Sequence, residues 1–190
     1  MANCDFLPVG MGATACAENY AGTGTTAYLF KGADVDTSGL TVDDTTNSYK
    51  GFALKSGKKL TPVKLKNQAN KVASSSLGKN KGFSNVGTIV VERDLDIAAV
   101  CARTMNNTNF GVLLQRPGVN EGCYILWNPS VDPTFELADD TGDTFDSDNQ
   151  ATWTVTSSPM PYPRMRISQE DFAALEIVDV EDSEDPGVTG

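Results

Sequence analysis

Apolar and polar residues alternate along several short segments of the chain, which is the pattern of β-strands with one solvated face. At residues 52–55 and 63–66, Phe, Leu or Val alternates with Ala or Lys. Because the turn-like Ser56-Gly57-Lys58-Lys59 lies between them, the two segments predict a lysine-rich hairpin. Residues 87–92 are β-branched and more continuously apolar, which predicts a central strand.

Other segments extend the prediction to a mainly β chain with one medium and one short helix. Asp94 is a helix N-cap candidate, with Ile97, Cys101 and Met105 on one face, and Asn106-Asn107 would end this helix. Ser168-Gln169-Glu170-Asp171 predicts the start of a second helix, which places Phe172 and Leu175 on one side. Further strands are predicted at residues 26–31, 110–114, 123–127, 153–156 and 165–167.

The predicted organisation is one domain over residues 1–175, with an N-terminal arm at about 1–24 and an acidic tail at 176–190. Residues 66–83 are rich in Lys, Ser, Asn and Gly, and they exceed a plain connection in length, which indicates a functional loop or arm. Residues 138–150 form a second polar stretch. Its aspartates could supply oxygen ligands to Ca²⁺, but their spacing differs from an EF-hand loop, and a solvated acidic turn is favoured.

Charge is distributed in three opposed blocks along the 190 residues. Residues 1–49 carry a net charge of −5, residues 50–93 carry +9 and residues 94–190 carry −14, which gives −10 in total. Such blocks either fold against each other or face neighbouring copies, where a cationic edge meets an anionic one. The alternative is a solvated lysine-rich hairpin that guards an exposed strand edge.

The amino-acid composition excludes several common classes of catalytic and metal site. The sequence contains no His, which excludes Ser-His-Asp and Cys-His catalysis and His-based metal sites. We therefore expect no enzyme, no cofactor and no bound metal. The acidic balance disfavours sequence-specific DNA binding, although the lysines at 50–81 leave contact with duplex DNA without sequence preference open. No apolar run approaches the roughly 20 residues that span a bilayer.

The cysteines and tryptophans are expected in the core rather than in a site. The four cysteines form no CxxC pair, and buried free thiols are favoured over disulfides. Trp127 and Trp153 lie on predicted strands, where tryptophan more often anchors a core than binds a ligand. The cysteines are Cys4, Cys16, Cys101 and Cys123.

Three segments, in this order, resemble the tail tube (major tail) proteins of bacteriophages that infect gut Bacteroidota. They are Gly22-Thr23-Gly24-Thr25-Thr26-Ala27-Tyr28-Leu29-Phe30, Ser48-Tyr49-Lys50-Gly51-Phe52-Ala53-Leu54-Lys55 and Ser76-Leu77-Gly78-Lys79-Asn80-Lys81-Gly82-Phe83. The resemblance covers roughly residues 20–175. It implies a β-sandwich or β-barrel protomer with a flanking helix, which closes into rings, usually hexameric, with a β-lined channel. The rings stack through a long loop and terminal arms.

The resemblance also implies partners and contacts. The partners would be the chain itself, other tail proteins and DNA in transient, non-specific passage, with no membrane; the protein would be made in the host cytoplasm and located in the virion tail. Residues 66–83 would form the stacking arm, and residues 49–66 and 84–93 the inner hairpins. We expect the lysines to pair with acids of neighbouring subunits. The expected contacts between subunits are Phe52, Leu54, Lys58, Lys59, Val63, Lys64, Leu65, Lys66, Lys71, Lys79, Lys81, Phe83, Ile89 and Val91.

Two alternatives remain open from the sequence. Another phage structural protein, such as a tail terminator or a head–tail connector, has similar requirements. A small ligand-binding β domain would instead use Trp127, Tyr124 and the Asp139–Asp148 loop as its site.

Overall fold

A computed structural model describes residues 22–79, 81–92, 103–118, 121–140 and 150–178, with Glu92, Asp139 and Asp140 described by their backbone alone. The described chain is mainly β, as predicted. Its strands are β1 (Thr26–Lys31), β2 (Val35–Asp36), β3 (Thr41–Asp43), β4 (Ser48–Lys50), β5 (Ala53–Leu54), β6 (Thr61–Lys64), β7 (Lys71–Ser76), β8 (Phe83–Glu92), β9 (Phe110–Gln115), β10 (Cys123–Leu126), β11 (Thr134–Asp140), β12 (Gln150–Met160) and β13 (Arg166–Ile167).

Two sheets pack face to face as a sandwich, and neither closes into a barrel. The larger sheet has the order β3-β4-β13-β10-β9-β1-β6, and the smaller has the order β11-β12-β8-β7. Strands β2 and β5 form a separate short pair. In the smaller sheet all neighbouring strands are antiparallel.

The alternation of residue types along β12 shows why the two sheets pack together. Ala151, Trp153 and Val155 are buried against the larger sheet, whereas Thr152 and Thr154 point to the opposite face and stay partly exposed. This is the period of two that a strand with one buried face requires.

A second apolar cluster covers the other face of the larger sheet, so that this sheet is buried on both sides. There Leu113 and Ile125 pack with Phe52 and with Phe172 of the short helix α2 (Gln169–Ala173). The Ser168 hydroxyl accepts a hydrogen bond from Asp171 N at 3.0 Å, which confirms the predicted N-cap.

The predicted hairpin between residues 52–55 and 63–66 is wrong. Strand β5 pairs with β2, and β6 pairs with β1. Both segments do alternate apolar and polar residues, but their apolar residues belong to different clusters. Phe52 packs on one face of the larger sheet and Leu65 on the other. The turn after Lys55 is present, with Lys58 N donating to Lys55 O at 3.0 Å.

The prediction of an extended loop at residues 66–83 is also wrong in its central part. Strand β7 pairs with β8 along its whole length, from Lys71 opposite Thr88 to Ser76 opposite Phe83. Its small polar residues gave no apolar face that a pattern could detect. The hairpin expected at residues 49–66 is replaced by strands of the larger sheet and the short pair.

Some predictions concern residues outside the described ones. They include Cys4, Cys16 and Cys101, most of the N-terminal arm, and the aspartates after Asp140. Of the first predicted helix, residues 103–106 are described as helical (α1). Residues 176–178 belong to the domain rather than to a free tail, because Leu60 and Ile177 form a parallel bridge.

Candidate assembly interface

The edges of the larger sheet are short and partly protected against further strands. Leu60 N donates to Glu176 O and Val178 N donates to Leu60 O, both at 2.8 Å, next to the edge strand β6. Within β6, Pro62 has no N–H to offer to another strand. At the opposite edge, β3 is only three residues long. Short length and proline are common means of preventing edge-to-edge pairing.

The edges of the smaller sheet are longer and carry no proline. Strand β7 has six residues and β11 has seven, and each pairs on one side only within the described part of the chain. Each therefore presents a row of backbone N–H and C=O groups on its outer side, which is a template for pairing with another strand.

Opposite charges lie at the two ends of one cross-strand row. Lys71, Thr88, Thr154 and Glu136 are successive partners across β7, β8, β12 and β11. Directly opposed residues place their side chains on the same face of a sheet. The row therefore runs from a cation at the β7 edge to an anion at the β11 edge, both exposed.

Further acids follow the β11 edge at a spacing of four residues. Asp140 occupies the same alternating set of positions as Glu136, and Asp132 lies two residues before the strand begins. At the other edge, Lys79 and Lys81 lie within the β7–β8 turn. The β7 edge is thus basic and the β11 edge acidic, a combination that disfavours pairing of like edges and favours pairing of unlike ones.

Hydroxyl-bearing and small side chains dominate the outward face of the smaller sheet. Lys71 is the one cation among the strand positions that the structure describes on this face. At its margin Lys66 Nζ donates to Gln150 Oε1 at 3.2 Å. The hydroxyl-bearing residues are Ser75, Ser84, Thr88, Thr134, Thr152, Thr154 and Thr156.

Several of the apolar contacts expected between subunits lie inside the protomer. Phe52, Leu65 and Ile89 are at most 4 % exposed, so their side chains offer no surface to another copy, contrary to the expectation from the sequence. Leu54, Val63 and Val91 are half-buried and pack against the chain's own clusters, and Phe83 is also half-buried, at the start of β8.

The lysines divide into two groups. Lys58 contacts Asp34 at 3.3 Å and Lys59 contacts Glu176 at 3.5 Å, so part of the basic block folds against the chain's own acids. By contrast, Lys64, Lys71, Lys79 and Lys81 are exposed and make no ion pair with another described residue. Because exposed pairs contribute little to stability, the first group is not the main support of the fold.

A further ion pair connects Lys50 with Asp43 at 2.7 Å, on the two neighbouring strands β4 and β3. Hydrogen bonds from Lys50, from Thr45 N and from the Thr46 hydroxyl hold the pKa of Asp43 well below its usual value. This cluster ties the short edge strand β3 to its neighbour.

Trp127 and Tyr124 of the alternative ligand site do not lie together, and most of the Asp139–Asp148 loop lies outside the described residues. Trp127 is 2 % exposed and packs edge-on against Phe30 and Phe52. Tyr124 faces the other side of the larger sheet, where its ring lies 5.5 Å from the Arg116 guanidinium carbon. Trp127 therefore presents no ring face to a ligand in this structure.

No match is found among family models, curated proteins or solved structures. Among the described residues, no helix is long and apolar enough to cross a membrane.

Proposed function

We propose that this chain is a structural protein that joins copies of itself edge to edge and builds a bacteriophage tail tube. The observation that carries the proposal is the smaller sheet, whose two edge strands carry opposite charge and pair on one side only among the described residues. Strands β7 and β11 are different surfaces, so their pairing is heterologous and generates a ring or an open helix, depending on the rotation between copies.

The strand directions are compatible with pairing of β7 with β11 of the next copy, a contact that is called the seam below. The smaller sheet has four alternating strands, so β7 and β11 run in opposite directions. Rotation about a tube axis preserves each strand's direction along that axis. Strand β7 of one copy therefore meets β11 of the next in an antiparallel arrangement, and the alternation continues through the seam.

Two registers bring Lys71 opposite an acid that shares the alternating set of Glu136 on β11. In the level register, the cross-strand row continues without a shift into the next copy. Lys71 then lies opposite Glu136, but only three residues of β7 lie opposite β11. In the shifted register, the next copy is displaced by four residues along the strand. Lys71 then lies opposite Asp140, and all six residues of β7 lie opposite β11. A strand tilt of about 36°, at about 4.8 Å between strands, produces a shift of roughly four residues over four strands. We favour the shifted register.

The outward face of the smaller sheet suits a channel wall. It is lined by hydroxyls, it carries acids along one edge, and Lys71, the one cation among its described strand positions, would be paired at the seam. Because the wall offers few positive charges to phosphates, DNA would pass with little adhesion. Six copies would supply 24 strands and a barrel about 45 Å across between backbones, at the same spacing and tilt.

The test is assembly of the purified full chain, followed by sedimentation velocity and negative-stain electron microscopy. We expect rings or tubes from the wild type, whereas a tail terminator or connector would give rings without long tubes. Lys71→Glu should raise the concentration needed for assembly at least tenfold. Lys64→Glu is the matched control, because Lys64 is also an exposed edge-strand lysine but lies on β6.

Compensating variants identify the register. Lys71→Glu combined with Asp140→Lys should restore assembly if the shifted register is correct, and the combination with Glu136→Lys should restore it if the level register is correct. A wild-type chain that stays monomeric at high concentration would refute the proposed function. Equal assembly of Lys71→Glu and wild type would refute this seam.

A further inference from the structure

A polar pocket lies beside the beginning of β11. It has a volume of about 480 Å³ and is lined by residues 105–109 and 132–135. Met105 is buried and the Phe135 ring is half-buried, so both form an apolar floor, whereas Asn106, Asn109 and Asp132 are exposed at the rim. In the described part of the chain, no side-chain hydrogen bond or ion pair engages these three rim residues.

We infer that this pocket receives the β7–β8 turn of the neighbouring copy; the inference rests on the proposed function. In an antiparallel seam the Ser76 end of β7 lies beside the Thr134 end of β11. In the shifted register, which we favour, the turn that follows Ser76 therefore projects toward the pocket, whereas in the level register it would lie beyond it. In the shifted register Leu77 lies opposite Thr134 and Lys79 opposite Asp132.

The β7–β8 turn is closed at its base in the free protomer. Leu77 N donates to Gly82 O at 3.0 Å, which closes the base of the turn. Gly78 and Gly82 adopt φ values of +103° and +80°, a backbone conformation that favours glycine. Since this hydrogen bond and the two glycine conformations already fix the described ends of the turn, less conformational entropy is lost when it docks.

The side chains of the turn complement the pocket. Leu77 is 38 % exposed on the free protomer, and Val131 beside the pocket is 40 % exposed, so docking would cover two apolar side chains. Lys79 and Lys81 would meet the Asp132 carboxylate and the asparagine carbonyls. A lateral contact between neighbours in one ring therefore replaces the contact between stacked rings that the sequence resemblance implied for this segment.

A charge exchange tests the inference. Asp132→Lys, and separately Lys79→Glu with Lys81→Glu, should each raise the concentration needed for assembly at least tenfold, and the triple variant should recover most of the loss. Glu170→Lys is the control for Asp132→Lys, because it reverses an exposed acid on α2, away from the pocket. Leu77→Ser removes the apolar contact without changing charge and should also weaken assembly.

The outcomes separate this inference from the proposed function. Far-UV circular dichroism and thermal melts of each variant establish that the protomer stays folded. If the wild type assembles and Asp132→Lys assembles equally well, the pocket is not the docking site, although the seam stands. If the single-site effects occur without recovery in the triple variant, the charge pairing is refuted. If the wild type does not assemble, both proposals fail.

Discussion

The contact between Gly111 and Phe30 offers a sharp test of the packing inside the protomer. The two residues are directly opposite each other on β9 and β1. A Cβ atom at Gly111 would lie 2.2 to 2.8 Å from three carbons of the Phe30 ring. Ordinary carbon–carbon contacts need about 3.5–4.0 Å, so Gly111→Ala requires the ring to move by roughly 1 Å.

The ring has little room to move, since Phe52 and Trp127 hold it at centroid distances of 5.4 and 5.9 Å. Overpacking of this kind costs about 3 kcal/mol. Removing a strand glycine recovers about 0.5–1 kcal/mol through the unfolded chain. We therefore expect Gly111→Ala to destabilise the protein by about 2 kcal/mol, which lowers the Tm by about 4–8 °C for a domain of this size.

Urea unfolding followed by tryptophan fluorescence measures this change. Gly39→Ala is the matched control, because no atom lies within 4 Å of the added Cβ and its φ is not positive, and it should change stability by less than 1 kcal/mol. Phe30→Leu should relieve the overlap, so that the two substitutions are coupled in a double-mutant cycle. A Gly111→Ala protein as stable as wild type would refute the described packing of the Phe30 ring.

Two further predictions concern the cap of α2 and the alkaline limit of stability. Ser168→Ala removes the bond to Asp171 N and should cost about 1 kcal/mol, whereas Ser168→Asp should retain most of the stability; urea unfolding of both variants checks this. Burial raises the pKa of Cys123 from 9.0 to about 12, so the buried thiol favours folding below pH 9, and this contribution should be lost as pH rises from 9 to 12. Cys123→Ala should weaken that loss in pH-dependent melts, and equal curves for both proteins would contradict it.

Strong local patterns were sufficient to predict the mainly β class and several individual elements. The alternation in β12, the apolar run in β8 and the capping sequence at Ser168 each gave the correct element. The expectation that Trp127 and Trp153 are core residues is confirmed, since both are at most 2 % exposed. In these segments local preference and tertiary packing favour the same structure.

Strand β7 could not be predicted because its stability comes from its partners. Only Val72 packs against the apolar cluster between the sheets. The Ser74 hydroxyl donates to Asn85 Oδ1 at 2.6 Å, and Asn85 is fully buried. Asn85 Nδ2 also donates to Tyr162 O at 3.1 Å, across 77 residues of sequence. A strand held by its backbone ladder and a non-local polar network leaves little periodic signal in its own residues.

The pairing partners of the strands could not be predicted from the sequence pattern either, and they determine which surface is available for assembly. The sequence pattern suggested that the lysines around Lys58 face neighbours, but two of those lysines contact the chain's own acids. Only the topology shows that Pro62 and residues 176–178 protect one edge of the larger sheet, while β7 and β11 have no second strand partner among the residues that the structure describes. A monomer with no use for these edges would be expected to protect them in the same way. Because the described residues protect the larger sheet more than the smaller one, this difference supports the proposal that copies join at the smaller sheet.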